Sequence, residues 1–181
     1  HCISSAASDV YKRQDVHIHL FRKSGEKMRI LICDDDTLII EQLKKYIESY
    51  FESNHLKCPE LVSFTSGEAL LTDKGEKDIV FLDIEMPGMN GIYVGNELKK
   101  VNRNVIVFVV TSYSEYLDEA MRFHVFRYLS KPLDKQRFFR NLKDALAYYN
   151  SITLKIPVET KQAVYSLSLI HISEPTRPEP I

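Results

Sequence analysis

Val105-Ile106-Val107-Phe108-Val109-Val110 is an unbroken apolar run, mostly β-branched. A strand wetted on one side alternates polar and apolar residues, so a continuous run of this kind needs cover on both faces. Shorter runs of the same type occur at Met28–Cys33, Glu60–Phe64, Asp78–Leu82 and Phe126–Leu129. Between them lie stretches with helical spacing. Leu38, Ile39, Leu43, Tyr46, Ile47 and Tyr50 recur on one face after the first run, with Asp36 or Thr37 as the N-cap. Ser66 to Leu71 opens a short helix, and others are predicted over Gly91–Lys100 and Glu115–Phe123. Phe138, Phe139, Leu142, Ala145, Leu146 and Tyr149 trace the apolar face of a long closing helix. Strand and helix thus alternate five times, which predicts an α/β fold: a parallel sheet with helices on both faces and right-handed crossovers.

The chain has 181 residues, 44% hydrophobic and 27% charged, enough for one sizeable core. A net charge of -1 gives no electrostatic reason to expect nucleic-acid binding by this stretch. No apolar run reaches the ~18 residues that a membrane span requires. Cys2, Cys33 and Cys58 have no metal-type spacing, and their odd number argues against a disulfide framework. A reducing, cytoplasmic setting is expected, with Cys33 a buried strand thiol.

The two ends read differently from the middle. Residues 1–14 resemble the in-frame translation of a sequencing adapter, and 167–181 resemble that of the partner adapter. Both are set aside from fold reasoning. Residues 15–27 read as a leader or as translated untranslated sequence, with Met28 the expected true start. On this reading the gene is cut short near Ser166.

If the five runs are parallel strands, their carboxyl ends carry Asp34 and Asp35, Ser63-Phe64, Asp83, Thr111 and Lys131. Ligands of open α/β sheets bind at that rim. Two unit charges ~4 Å apart repel by about 4 kcal/mol at an effective dielectric of ~20, so three clustered carboxylates call for a cation. An all-oxygen donor set favours a hard one such as Mg2+. An aspartate beside a divalent cation and a lysine is placed for nucleophilic attack on a phosphoryl group, and Asp83 is the expected acyl-phosphate site. Each residue also has a plainer reading. Asp34 to Asp36 could be a solvated helix-capping turn, and Asp83 before Pro87-Gly88 a turn former. Thr111 could be structural, and Lys131 before Pro132 simply exposed. Their joint occurrence, each at a strand end, favours the site.

Ile32-Cys33-Asp34-Asp35-Asp36, Leu82-Asp83-Ile84-Glu85-Met86-Pro87-Gly88-Met89-Asn90-Gly91, Val110-Thr111-Ser112 and Tyr128-Leu129-Ser130-Lys131-Pro132-Leu133 resemble the receiver domain of two-component response regulators. The likeness covers residues 28–150. It implies a doubly wound (βα)5 sheet with strand order 2-1-3-4-5, the flavodoxin-like arrangement. By this resemblance Asp83 is the phosphoacceptor. Asp35 binds Mg2+ directly and Asp34 through water, while Asp83 and the Glu85 main-chain carbonyl complete the protein's share of the metal shell. Thr111 is the switch hydroxyl and Lys131 the cation that pairs with the phosphoryl group; the Lys131-Pro132 bond is expected to be cis. Tyr128 matches an aromatic switch position, though it also reads as an ordinary half-buried sheet residue. The Glu85 side chain is expected to face the site, where it could order water or slow it.

Residues 151–166 read as two short alternating strands around a polar turn. They resemble the opening hairpin of a LytTR-type DNA-binding domain. The implied protein is a cytoplasmic transcriptional regulator rather than an enzyme. A sensor histidine kinase phosphorylates it, and it dimerises on activation through the helix 4/strand 5 face. It binds DNA only when intact and has no membrane partner. One rival is a phosphatase of the haloacid dehalogenase type, which needs a second aspartate two residues after the nucleophile, where this chain has Glu85. The other is an interaction module that no longer takes phosphate.

Overall fold

The computed structural model describes residues 27–113 and 116–153, and the backbone of 155–159 and 164–168. Strands β1 (Arg29–Cys33), β2 (Glu60–Phe64), β3 (Ile79–Leu82), β4 (Ile106–Thr111) and β5 (Arg127–Ser130) form one sheet in the order β2-β1-β3-β4-β5. All four pairings are parallel. Helices α1 (Thr37–Ser53), α2 (Gly67–Thr72), α3 (Gly91–Val101), α4 (Leu117–Arg122) and α5 (Lys135–Thr153) connect and close the strands. The doubly wound fold expected from the alternation is therefore present.

Alternate residues of the central strands feed two separate cores. Ile30, Ile32, Ile79, Phe81, Ile106, Phe108 and Val110 point to one face and pack with α1 and α5. Leu31, Cys33, Val80, Leu82, Val105, Val107 and Val109 point to the other, against α2, α3 and α4. This two-sided burial is why β3 and β4 carry unbroken apolar runs. Phe81 stacks on Phe108 at 4.7 Å between ring centroids and tilts against Phe138 of α5 at 5.3 Å. Edge strand β2 has no fully buried residue, and Glu60 and Ser63 are exposed, which accounts for its weaker pattern.

Some boundaries differ from expectation. The closing helix runs on to Thr153, three residues past the expected end at Asn150. Ser151 and Thr153 hydroxyls donate back to the Tyr148 and Tyr149 carbonyls, both at 2.7 Å, so both side chains are satisfied within the last helical turn. The expected hairpin is present as an antiparallel pair, β6 (Lys155–Glu159) with β7 (Val164–Ser168). It begins later than residue 151, and β7 includes Leu167 and Ser168 from the adapter-like run. Cys2, the leader to residue 26 and the remainder of the adapter-like ends lie outside the described residues.

Candidate functional site at the carboxyl rim

The sheet's hydrogen bonding continues one residue beyond the strands and so fixes the backbone of the rim. Asp34 N–H donates to the Phe64 carbonyl (3.1 Å), Asp83 N–H to Cys33 (2.9 Å) and Lys131 N–H to Thr111 (2.9 Å). Asp34, Asp83 and Thr111 are all buried. The acidic turn divides its labour. Asp36 is the N-cap of α1, accepting from Leu38 N–H at 2.8 Å, so the capping reading is right for that residue. Asp34 and Asp35 remain for the site.

Carboxylate oxygens of Asp34, Asp35 and Asp83 lie within 4.8 Å of one another. Lys131 Nζ stands 2.8 Å from Asp83 Oδ2, donating a hydrogen bond, and 2.8 Å from Asp34 Oδ2 in an ion pair. Its side chain is only 14% exposed, which rules out the reading of a merely solvated lysine. Burial opposes the Lys131 charge, but hydrogen bonds and attraction from Asp34 and Asp83 outweigh it and raise the ammonium's pKa. Burial also pushes the Asp34 carboxyl up, aided by the Asp83 charge and opposed by Lys131 and the Asp36 N–H. One ammonium cannot balance three carboxylates. The excess of negative charge on hard oxygen donors fits a divalent cation such as Mg2+.

The loop after Asp83 is shaped around the acceptor. Asp83 Oδ1 accepts from Ile84 N–H at 2.7 Å. A Cβ on Gly91 would lie 2.0 Å from the Asp83 carbonyl oxygen, so only glycine allows α3 to start so close. Gly88 has φ of 87°, a left-handed conformation that its lack of a Cβ permits. Glu68 of α2 reaches across to accept from Met89 N–H at 3.0 Å. The Lys131-Pro132 peptide is cis, as expected.

Residues 30–143 match the family described as the response regulator receiver domain. The chain belongs to that family. Its relatives include the sensory transduction protein LytT of Bacillus anthracis, 30% identical over 116 residues, or 64% of this chain and 46% of that protein. The chain thus spans about half the length of the relatives it matches. Among solved structures, the response regulatory domain of MrkE from Klebsiella pneumoniae aligns with a TM-score of 0.62 at 22% identity, covering 68% of this chain and 98% of that one. The response regulator TrrA of Thermotoga maritima, solved in complex with Mg(2+)-BeF, aligns with a TM-score of 0.57 at 28% identity, covering 65% and 97%.

In this receiver domain Asp34, Asp35, Asp83 and Lys131 come together as one cluster. Thr111 closes β4 beside it, and its Oγ1 accepts from Tyr113 N–H at 3.4 Å. Tyr128 sits opposite Val109 on β5, half-buried against the α2–α4 core. The Glu85 side chain is exposed and accepts a hydrogen bond from the Tyr116 hydroxyl at 3.0 Å. Tyr116 and Glu68 were not singled out by the sequence. Cys33 is the buried thiol expected: its Sγ lies 3.4 Å from the Ser66 carbonyl, and burial beside Asp34 lifts its pKa to about 12. No helix among the described residues is long and apolar enough to cross a membrane.

Proposed function

We propose that Asp83 is the phosphoacceptor of this receiver and that the rim works with bound Mg2+. The observation that carries the reading is Lys131 Nζ at 2.8 Å from both Asp83 and Asp34, within a cluster still rich in negative charge. Asp34, Asp35, Asp83 and the Glu85 carbonyl would hold the ion, which supplies positive charge to offset that of the phosphoryl oxygens. A sensor histidine kinase is the donor. An Asp83 carboxylate oxygen attacks phosphorus, the P–N bond to the donor histidine breaks, and the imidazole nitrogen leaves with the bonding pair. Lys131 pairs with a phosphoryl oxygen and Thr111 donates its hydroxyl to another. The domain labels itself rather than turning over substrate, which separates it from a phosphatase.

The output reading rests on the tail. The hairpin over 155–168 and the likeness to LytT support a LytTR-type DNA-binding domain in the intact protein. Movement of Thr111 biases the α4–β5 face, with Tyr128 as an aromatic switch on it, and that face serves dimerisation. The intact regulator then binds DNA in the cytoplasm.

Beryllofluoride with Mg2+ tests the acceptor. Amide resonances of Asp83, Thr111 and Lys131 shift in the wild type and stay put in Asp83→Ala. Unmoved wild-type resonances would refute the reading.

A further inference from the structure

The hydrogen bond from the Tyr116 hydroxyl to Glu85 Oε1 joins the loop after Asp83 to the start of α4. Glu85 lies on the acceptor loop, two residues past Asp83. Tyr116 stands at the N-cap position of α4, five residues past Thr111. It makes no side-chain capping bond there, and its hydroxyl is spent on the acceptor loop instead. Its carbonyl starts the helix by accepting from Ala120 N–H at 2.9 Å. The Tyr116 ring also meets the Tyr113 ring edge-on, 6.3 Å between centroids. Tyr113 N–H in turn donates to Thr111 Oγ1. A chain of contacts therefore runs from Glu85 through Tyr116 and Tyr113 to the Thr111 hydroxyl.

We propose that Tyr116 is a positioning residue that tethers the start of α4 to Glu85 and so restrains Thr111 in the unphosphorylated domain. The proposal rests on the phosphoacceptor reading of Asp83. For Thr111 to donate to a phosphoryl oxygen, its hydroxyl must turn toward Asp83 while its oxygen still accepts from Tyr113 N–H, so Tyr113 follows it. Through the ring contact Tyr116 is drawn along, away from Glu85. The tether thus stabilises the resting state alone, and a ligand that favours the other state must overcome it. Helix α4 has six residues, so a constraint at its first turn governs the whole element. Glu85 then acts through two atoms: its carbonyl toward the metal and its carboxylate toward α4.

The test is a beryllofluoride titration of the full chain at saturating Mg2+, read by calorimetry, on wild type, Tyr116→Phe, Glu85→Gln and the double variant. A partly exposed hydrogen bond to a carboxylate sets the scale. Each single variant should lower the midpoint about threefold, and the double variant no further than either single. Tyr116→Phe keeps the ring contact with Tyr113 and should leave the affinity for Mg2+ alone unchanged, which loss of packing would not. A Tyr116→Phe midpoint equal to or above the wild-type value overturns the tether, as do additive single effects. A silent wild type would sink the acceptor reading itself and the tether with it. A responsive wild type with an unmoved Tyr116→Phe sinks the tether alone.

Discussion

The two edges of the sheet both gather charged side chains, yet they do opposite things with them. At the amino edge, Arg29 of β1 pairs with Asp73 at 3.0 Å and Glu60 at 3.2 Å and donates to the Glu76 carbonyl at 2.9 Å. Its own N–H donates to Asp78 at 2.8 Å, and Lys77 adds a contact to Asp73 at 3.5 Å. Cations and carboxylates there serve one another. At the carboxyl edge three carboxylates cluster, and one lysine pairs with two of them, Asp34 and Asp83. In the first cluster every carboxylate has its own donor on Arg29. The second is left short of positive charge, and a divalent cation bound there would relieve that shortage. Charge clustering alone does not mark a candidate site; carboxylates in excess of their donors do.

The pKa directions show the same contrast. Hydrogen bonding from Arg29, with its charge and that of Lys77, outweighs burial and holds Asp73 below the ordinary carboxylate range. Asp34 is raised, chiefly by burial. A depressed carboxyl contributes stability that is present above its unfolded pKa and is lost as pH falls through the folded value. A raised one contributes stability that is fully present below its unfolded pKa and is lost as pH rises through the folded value. The amino edge therefore weakens in acid, whereas the metal-free rim is strained by ionisation of Asp34.

Substitutions can break the contrast. The largest effect is expected at Lys131: Lys131→Met should slow labelling by acetyl phosphate by ~10²–10³-fold, the scale of losing one charge-stabilising donor. A rate within a few-fold of wild type would remove Lys131 from the chemistry. Next, Arg29→Met should cost about 2 kcal/mol in urea unfolding, because it strands partly buried Asp73, while the Mg2+ affinity of the folded protein holds. A weaker Mg2+ affinity would mean that the two edges are coupled. Smaller still, Asp34→Asn should stabilise the metal-free domain at neutral pH, because burial raises the Asp34 carboxyl, and weaken Mg2+ binding. The stability gain should vanish near pH 3.8, where the unfolded carboxyl titrates. Destabilisation at neutral pH would show that Asp34 belongs to a closed cluster after all.

Much of this arrangement was legible in the residues. Unbroken runs such as Val105–Val110 and helical spacing such as Leu142–Leu146 carry their own periodicity, and strand ends fix where Asp34, Asp83, Thr111 and Lys131 must lie. What was not legible depends on pairing between distant segments. Glu68 meets Met89 across 21 positions, Tyr116 meets Glu85 across 31, and Arg29 meets Asp73 across 44. None of these pairs leaves a local pattern. The last turn of α5 escaped for another reason: Ile152 and Thr153 are β-branched, side chains that suit a strand better than a helix.

On the proposed reading, the excess of negative charge at the rim serves the phosphorylation of Asp83. Intact-mass and peptide mass spectrometry after acetyl phosphate treatment addresses it most directly. The account predicts a gain of one phosphoryl group on Asp83, dependent on Mg2+ and absent from Asp83→Ala. An unlabelled wild type, or a label that persists in Asp83→Ala, would contradict it.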